Sequence, residues 1–142
     1  MDIKNYRDLQ VWQKAYELVL LVFAVTDKFP RADQFGIVSQ VRRSASSVAA
    51  NIAEGFGKGT TREFLRSLQI ARGELEETRY FMFLGCDLGK ISKEENTRID
   101  AVCDSTGRLI NALGRSLRSK ISAKGQSPVT SQPVTSHQLR PS

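Results

Sequence analysis

Apolar residues recur at helical spacing in four consecutive stretches of the chain, with polar residues between them. In the first stretch, two overlapping sets repeat every three to four residues from Leu9 to Val25. Asp8 stands directly before these sets and is a suitable N-cap residue. Pro30 pushes the residue before it out of the α region, so the helix should end near Lys28. The first stretch therefore predicts a helix that begins at Asp8 and ends near Lys28.

The second stretch predicts a helix that is capped by Asp33 and interrupted at Gly55 and Gly57. Its apolar stripe is formed by Val38, Val41, Ala45, Val48 and Ile52. Between Ser44 and Ala50 nearly every side chain is small, which lets a neighbouring helix approach closely. We therefore expect a tight helix contact along this segment, and not a cluster of catalytic serines.

A capping box predicts the start of the third helix. Thr60 and Glu63 have the spacing at which each side chain satisfies the other's backbone N–H. Phe64 opens a repeat of 3.5 residues, the period of a helix-bundle seam, which continues to Met82. This helix should end within residues 85–89, where two glycines occur.

A second capping box, formed by Ser92 and Glu95, predicts the start of the fourth helix. One apolar stripe then continues from Ile99 to Ile121. The fourth helix should therefore end near Ser122.

Beyond the fourth helix the composition changes to Gln, Ser, Pro, Thr and Val, and the sequence Pro-Val-Thr-Ser occurs twice. This change predicts a helical domain over residues 1–124 and a disordered Ser/Thr/Pro-rich tail over residues 125–142. Four helices with short connections and no strand-like alternation indicate an all-α fold. The expected architecture is an antiparallel up-and-down four-helix bundle.

The first helix is more apolar than one bundle needs. Every residue from Leu18 to Val25 is apolar, whereas a helix of a simple bundle buries a single stripe. The second cover that this segment requires should come from another subunit. We therefore expect a homo-oligomer.

Charge is distributed unevenly along the chain. Residues 1–104 contain 15 basic and 15 acidic residues, so the net charge of +6 arises within residues 105–142, which contain no acid. Such asymmetry indicates an anionic partner, with nucleic acid before a membrane surface. A solvated helix face with a soluble tail is the alternative explanation.

Two candidate surfaces carry the basic residues. On the fourth helix a basic stripe is expected on the side opposite Leu113 and Leu117, and at the turn into the third helix a second cluster lies near a helix N-terminus that favours anions. The candidate nucleic-acid-binding residues are Arg108, Arg115, Arg118 and Lys120 on the fourth helix and Lys58, Arg62 and Arg66 at the turn. Because no helix-turn-helix, RRM or KH signature is present, we expect contact with the RNA or DNA backbone and no base recognition.

The sequence lacks the parts of a catalytic or metal site. Its one histidine, His137, falls in the predicted tail, so a Ser/His, Cys/His or zinc site would have no histidine on the helices. Cys86 and Cys103 have no zinc-type spacing, and we expect them to be reduced thiols. We therefore expect no enzyme activity, no catalytic residue, no cofactor and no metal.

No apolar run approaches the roughly 20 residues of a membrane helix, and the first residues do not resemble a secretory signal. We therefore expect no membrane partner. A chain with neither export signal nor disulfide framework belongs in a reducing compartment, which here is the bacterial-type cytoplasm.

Glu54 is the most informative acid, because a helix C-terminus disfavours a negative charge. A compensating cation is expected near it, from Arg43 or Arg72, within or between subunits. Asn51, one turn earlier, is expected to hydrogen-bond the same turn, and Arg42 is expected to serve the core of the assembly together with Arg43. A functional role for Glu54 is the alternative. The structural set is Arg42, Arg43, Asn51, Glu54, Gly55 and Arg72.

Several short motifs, taken in combination, point to one family. They are Tyr6-Arg7-Asp8-Leu9-Gln10-Val11-Trp12, Val38-Ser39-Gln40-Val41-Arg42-Arg43-Ser44-Ala45, Asn51-Ile52-Ala53-Glu54-Gly55-Phe56-Gly57, Ala71-Arg72-Gly73-Glu74-Leu75 and Asp87-Leu88-Gly89. Over residues 5–122 the chain resembles the 23S rRNA intervening-sequence protein family. The resemblance implies a bundle that assembles as a homopentameric ring, with suspected nucleic-acid binding and no established enzymatic activity. The family is also similar to the accessory variability determinant of diversity-generating retroelements, a pentameric nucleic-acid-binding partner of a reverse transcriptase.

Two function classes remain open from the sequence. The first is an oligomeric protein that binds nucleic acid, in which a ring repeats each basic patch and weak attractions add through avidity. The second is an oligomeric scaffold for protein–protein interaction. Retention on an RNA or DNA column at physiological salt separates the two.

Overall fold

The computed structural model describes residues 3–125, and within that range the chain forms four α-helices, two short 3-10 helices and no strand. The α-helices are α1 (Gln10–Thr26), α2 (Ile37–Gly57), α3 (Thr61–Asp87) and α4 (Lys93–Gly125), and the 3-10 helices span Tyr6–Asp8 and Arg31–Asp33. The all-α class is confirmed. Apart from Gly125, which belongs to α4, the predicted tail lies outside the described residues.

The prediction that Asp8 caps the first helix is wrong. Asp8 ends the preceding 3-10 helix, where its Oδ2 accepts hydrogen bonds from the backbone N of Lys4 at 2.8 Å and of Asn5 at 3.2 Å. α1 begins two residues later, and its N-cap residue, Leu9, makes no side-chain cap. The Asp8 carboxylate completes a capping box around the 3-10 helix and therefore does not cap α1.

The second predicted cap, Asp33, is also wrong. Asp33 lies in the other 3-10 helix, and its Oδ2 accepts a hydrogen bond from Lys90 Nζ at 2.7 Å. α2 begins only at Ile37, after Gly36, and has no side-chain cap. Asp33 thus pairs with Lys90, which is distant in the sequence, and does not cap α2 as the local pattern predicts.

Of the two later capping boxes, the one at Thr60 forms only its Thr60 half, and the one at Ser92 forms completely. Thr60 Oγ1 accepts a hydrogen bond from Glu63 N at 3.2 Å. At the start of α4 the capping box is reciprocal, because Glu95 N donates to Ser92 Oγ at 3.0 Å and Ser92 N donates to Glu95 Oε1 at 3.0 Å. Loss of such a cap costs about 1 kcal/mol.

The predicted apolar stripes meet in one core. α1 packs against α2 and α4, and α3 packs against the same two helices. Each helix contributes side chains that are fully buried, among them Leu18, Ile52, Leu75 and Ile99. None of the helices within residues 3–125 combines the length and the apolar character needed to cross a bilayer.

The small residues of α2 allow the close approach that the sequence predicts. A Cβ atom added at Gly55 would lie 2.5 Å from the Cβ of Ser67 on α3, which no real pair of atoms tolerates. Ser44 and Thr78 are both fully buried and share a hydrogen bond of 2.8 Å between their hydroxyls. Ser44 thus serves packing, and the tight helix contact is confirmed.

α1 buries one face and exposes apolar side chains on another. Leu18 and Val22 are fully buried, whereas Leu20 is 54% exposed, Tyr16 44% and Phe23 39%. These three exposed residues step by four and three positions, so they lie on one side of the helix. A single chain therefore leaves an apolar strip of α1 uncovered.

Candidate nucleic-acid interface

The second half of α4 carries basic charge without acidic charge. After Asp104 every charged residue of this helix is Arg or Lys. Arg108, Arg115 and Lys120 are exposed, while Arg118 is half-buried. None of these four cations forms an ion pair with any residue from 3 to 125. Their charge is therefore available to a ligand.

The predicted cluster at the start of α3 is only partly free. Lys58 Nζ lies 3.9 Å from Glu54 Oε2, which neutralises part of its charge. Arg62 and Arg66 are exposed and form no ion pair within the described part of the chain. Arg62 and Arg66 are thus the effective cations of this cluster.

The structure brings the two predicted surfaces to one end of the molecule. Arg62, from the start of α3, and Lys120, from the last turns of α4, line the same groove of about 800 Å³. Lys124, the apolar Ile121 and the acidic Glu63 also line it. The sequence predicted these patches separately, because the register of α3 against α4 is a tertiary property.

The sequence predicts that Arg118 lies with Arg115 on the side of α4 opposite the core. In the structure Arg118 does not lie there. It follows the buried Leu117 by one residue, which turns it about 100° from the centre of the core face. There it lines a shallow depression of about 30 Å³ between α3 and α4 together with Arg72. We call this depression the donor dimple; its other lining residues are Leu65, Leu68, Gln69, Ile110, Asn111 and Gly114.

Within one subunit Arg43 does not pair with Glu54. Its Nη2 donates to Glu77 Oε2 at 2.5 Å, and its Nη1 lies 3.4 Å from Glu74 Oε1. The hydrogen bond with Glu77 raises the pKa of Arg43 above its ordinary value. Arg43 faces α3, so the cation next to Glu54 is instead Lys58, one turn later.

Arg42 and Asn51 have structural contacts. Arg42 Nε donates to Thr26 Oγ1 at 2.8 Å, and its guanidinium lies 4.5 Å from the centre of the Phe23 ring. Asn51 Nδ2 donates to Ser47 O at 2.8 Å, so it bonds the preceding turn and not the turn at Gly55 that we predicted. Arg42 thus joins α1 to α2, and Asn51 stabilises α2 itself.

One electrostatic contact between α3 and α4 escaped the sequence analysis. Arg79 Nε lies 3.5 Å from Glu76 Oε2, one turn earlier on α3. However, Arg79 Nη1 also donates to Asp100 Oδ1 at 2.9 Å, and Nη2 donates to Asp104 Oδ1 at 2.6 Å. The hydrogen bond from Arg79 holds the pKa of Asp104 below its ordinary value. The spacing of the two aspartates was visible in the sequence, but the helix they face was not.

Both cysteines are free thiols, Cys86 half-buried and Cys103 buried. Burial raises the pKa of the Cys103 thiol to about 12. From residue 3 to residue 125, no group of three His, Cys, Asp or Glu side chains is arranged to hold a metal ion.

Comparison with known proteins found a matching family and a solved structure of similar fold. The family model described as 23S rRNA-intervening sequence protein matches residues 7–112. Among solved structures, the chain is similar to a protein of unknown function from the S23 ribosomal protein family of Bacteroides thetaiotaomicron. The two share a TM-score of 0.67 and 24% identity over 74% of this chain and 95% of that one, which shows the fold alone. No curated protein matches the chain.

Proposed function

The chain belongs to the 23S rRNA-intervening sequence protein family, and on this premise we propose that it binds the phosphate backbone of RNA or DNA without recognising base sequence. One observation carries the proposal. Arg62 of α3 and Lys120 of α4 line one groove, and neither forms an ion pair within residues 3–125. Three basic residues and one acid, Glu63, line this groove, which we call the basic end, and such an excess of positive charge attracts polyanions.

The contrast with the other arginines supports this proposal. Arg43 and Arg79 are engaged by carboxylates of neighbouring helices, and Arg42 is fixed by Thr26. Cations that are neutralised inside the fold contribute little to an outside ligand, whereas unpaired surface cations release counterions when they meet phosphate. The lining of the basic groove includes no aromatic side chain, which favours backbone contact over base stacking.

The proposal includes self-assembly of an antiparallel bundle into a homopentameric ring. The exposed strip of Tyr16, Leu20 and Phe23 supports a second subunit on α1, because an apolar strip of this kind gains stability when it is covered. Gly55 lies against Ser67, and Gly85 lies against Ile37, which supports opposite directions for α2 and α3. A ring would repeat the basic end once per subunit and multiply a weak attraction.

The proposal also includes the absence of catalysis and a cytoplasmic location. The one histidine lies at position 137, outside the described residues, so residues 3–125 supply no imidazole. Cys86 and Cys103 are free thiols, which suits a reducing compartment.

The test is binding of the full-length protein to RNA and DNA as a function of salt. We expect retention on an RNA column at physiological salt and equal affinity for unrelated sequences. The logarithm of the affinity should fall linearly with the logarithm of salt, by about 0.7 per phosphate contacted on single strands and about 0.9 on duplex. A protein that passes through both columns at physiological salt would contradict the proposal.

An oligomeric scaffold for a protein partner is the second candidate function. Phe35, at 96%, and Phe83, at 59%, are exposed apolar side chains on surfaces outside the basic end. Tyr80, at 56%, lies one turn before Phe83 on α3. Failure of the wild type to bind either nucleic acid would favour this second candidate.

A further inference from the structure

We propose that the donor dimple between α3 and α4 holds one phosphate group of a bound polynucleotide strand, contacted from both helices by Arg72 and Arg118. This inference rests on the proposed function for its ligand. It goes further because it moves the specific contact from the exposed stripe of α4 to a defined depression between two helices.

The chemistry of the lining carries the first step. The polar side chains of the dimple are Gln69 and Arg72 from α3 and Asn111 and Arg118 from α4. All four can donate N–H hydrogen bonds, and no carboxylate lines the dimple. Arginine presents its donors as a planar fork that matches two oxygens of a phosphate. A depression that is lined by such donors from both walls is complementary to an oxyanion.

The position of Arg118 carries the second step. Arg118 is half-buried and forms no ion pair within the part of the chain that the structure describes. Its Nη1 and Nη2 atoms lie 3.7 and 3.8 Å from the place where a Cβ of Gly114 would be. The guanidinium therefore rests over a residue that has no side chain, and Leu65 of α3 lies 3.8 Å from the same point.

The floor and the size of the dimple determine what can bind there. Leu65, Leu68 and Ile110 form an apolar floor, which lowers the local dielectric and strengthens a charge-assisted hydrogen bond. The volume of about 30 Å³ is enough for a group the size of one or two water molecules. An oxygen of a phosphate fits into it, whereas a base or a sugar does not. The rest of the strand must therefore lie outside, along the surface.

The experiment compares Arg118→Gln with the matched control Arg115→Gln in the full-length protein. Both variants remove one positive charge from α4, but Arg115 is exposed and lies outside the dimple. We expect Arg118→Gln to weaken binding of a single-stranded oligonucleotide by about tenfold or more, as for lost charge-assisted hydrogen bonds. Arg115→Gln should weaken it by about threefold at most, as for an exposed charge.

Arg118→Lys keeps the positive charge but removes the planar arrangement of hydrogen-bond donors. We expect it to recover only part of the loss, because an ammonium cannot reproduce the planar pair of donors. Equal losses for Arg118→Gln and Arg115→Gln, or full recovery with lysine, would overturn the proposal. Helical circular dichroism of each variant should match that of the wild type.

NMR of the arginine Nε–Hε groups distinguishes the two failures. We expect the Arg118 resonance to shift when the oligonucleotide is added, and a weaker shift of the same resonance with inorganic phosphate alone. If the oligonucleotide binds and the Arg118 resonance does not shift, the proposal that the donor dimple holds a phosphate is wrong, while the proposed function stands. If inorganic phosphate shifts Arg118 but no polynucleotide binds, the dimple holds free phosphate and the proposed function fails. If neither binds, both fail.

Discussion

The contact between α3 and α4 contains two arginines of α3 that lie near different residue types of α4. Arg79 meets two carboxylates of α4, Asp100 and Asp104. Arg72, seven residues earlier and on the same side of α3, shares its depression with Arg118 and no carboxylate. Ion pairs therefore link α3 to α4 in one half of their contact, whereas side chains that can donate hydrogen bonds line the other half. One contact between two helices can thus provide both stability and a binding surface. The residues of α4 determine which half does which.

The largest expected effect comes from breaking the apolar layer that holds both halves together. Leu75 is 1% exposed, lies between the two arginines in α3, and packs near Gly107 of α4. Leu75→Ala should lower the free energy of unfolding by about 2–5 kcal/mol, since it removes apolar contacts and leaves a cavity. Urea unfolding measures this, with Ile70→Ala as the control, because Ile70 is 45% exposed. Equal stability of the two variants would show that the two halves do not share one core.

Arg118→Asp sharpens the comparison, because it places a carboxylate of α4 in the donor dimple, as Asp104 stands beside Arg79. The new carboxylate should repel phosphate. We expect polynucleotide affinity to fall by about a hundredfold, since one favourable contact is lost and one repulsive contact is gained. Fluorescence anisotropy with a labelled oligonucleotide measures this. If Arg115→Asp has the same effect, net charge and not the dimple controls binding.

Arg79→Gln breaks the paired half and should leave the other half intact. It removes the cation that three carboxylates of α3 and α4 share, so we expect a loss of about 1–2 kcal/mol in stability. Polynucleotide affinity should stay within about twofold of the wild type at low temperature, where the variant is folded. Thermal melts and binding measured on the same sample test both statements. A larger loss of affinity than of stability would contradict the division of the interface.

The smallest expected effect is a pH dependence of the paired half. The folded chain lowers the pKa of Asp104 through its hydrogen bond with Arg79, from a reference value of 3.8. Its stabilising contribution is therefore fully present above that value and is lost as the pH falls through the lowered pKa. The difference in urea midpoint between the wild type and Asp104→Asn should be constant near neutral pH and vanish in acid. A difference that persists in acid would show that Asp104 acts without its charge.

Local patterns predicted much of the fold, because periodicity and capping depend on neighbours in the sequence. The stripe from Leu68 to Met82 is buried, and the caps at Thr60 and Ser92 form. Asp8 and Asp33 have the same residue type as a good cap, yet competing donors engage both carboxylates. A cap is thus predictable only where nothing else competes for its oxygen.

The candidate interface was predicted in composition and not in arrangement. The basic excess of α4 and the cluster around Arg62 were visible in the charges of the sequence. The placement of Arg118 beside Arg72 depends on which faces of α3 and α4 meet, and Arg43 was assigned to Glu54 for lack of that same information. Self-assembly, the tail and nucleic-acid binding stay predictions.

Because Cys103 is buried, the rate at which its thiol is alkylated reports how often the surrounding structure opens. A thiol reacts as thiolate, and with a pKa near 12 and no access to solvent, Cys103 can be alkylated only after α4 separates from its neighbours. Cys86 is half-buried at the end of α3 and needs a smaller opening. The ratio of their alkylation rates in native buffer therefore measures how often α4 detaches. The same rates, followed while a polynucleotide is added, would tell whether the ligand slows that breathing.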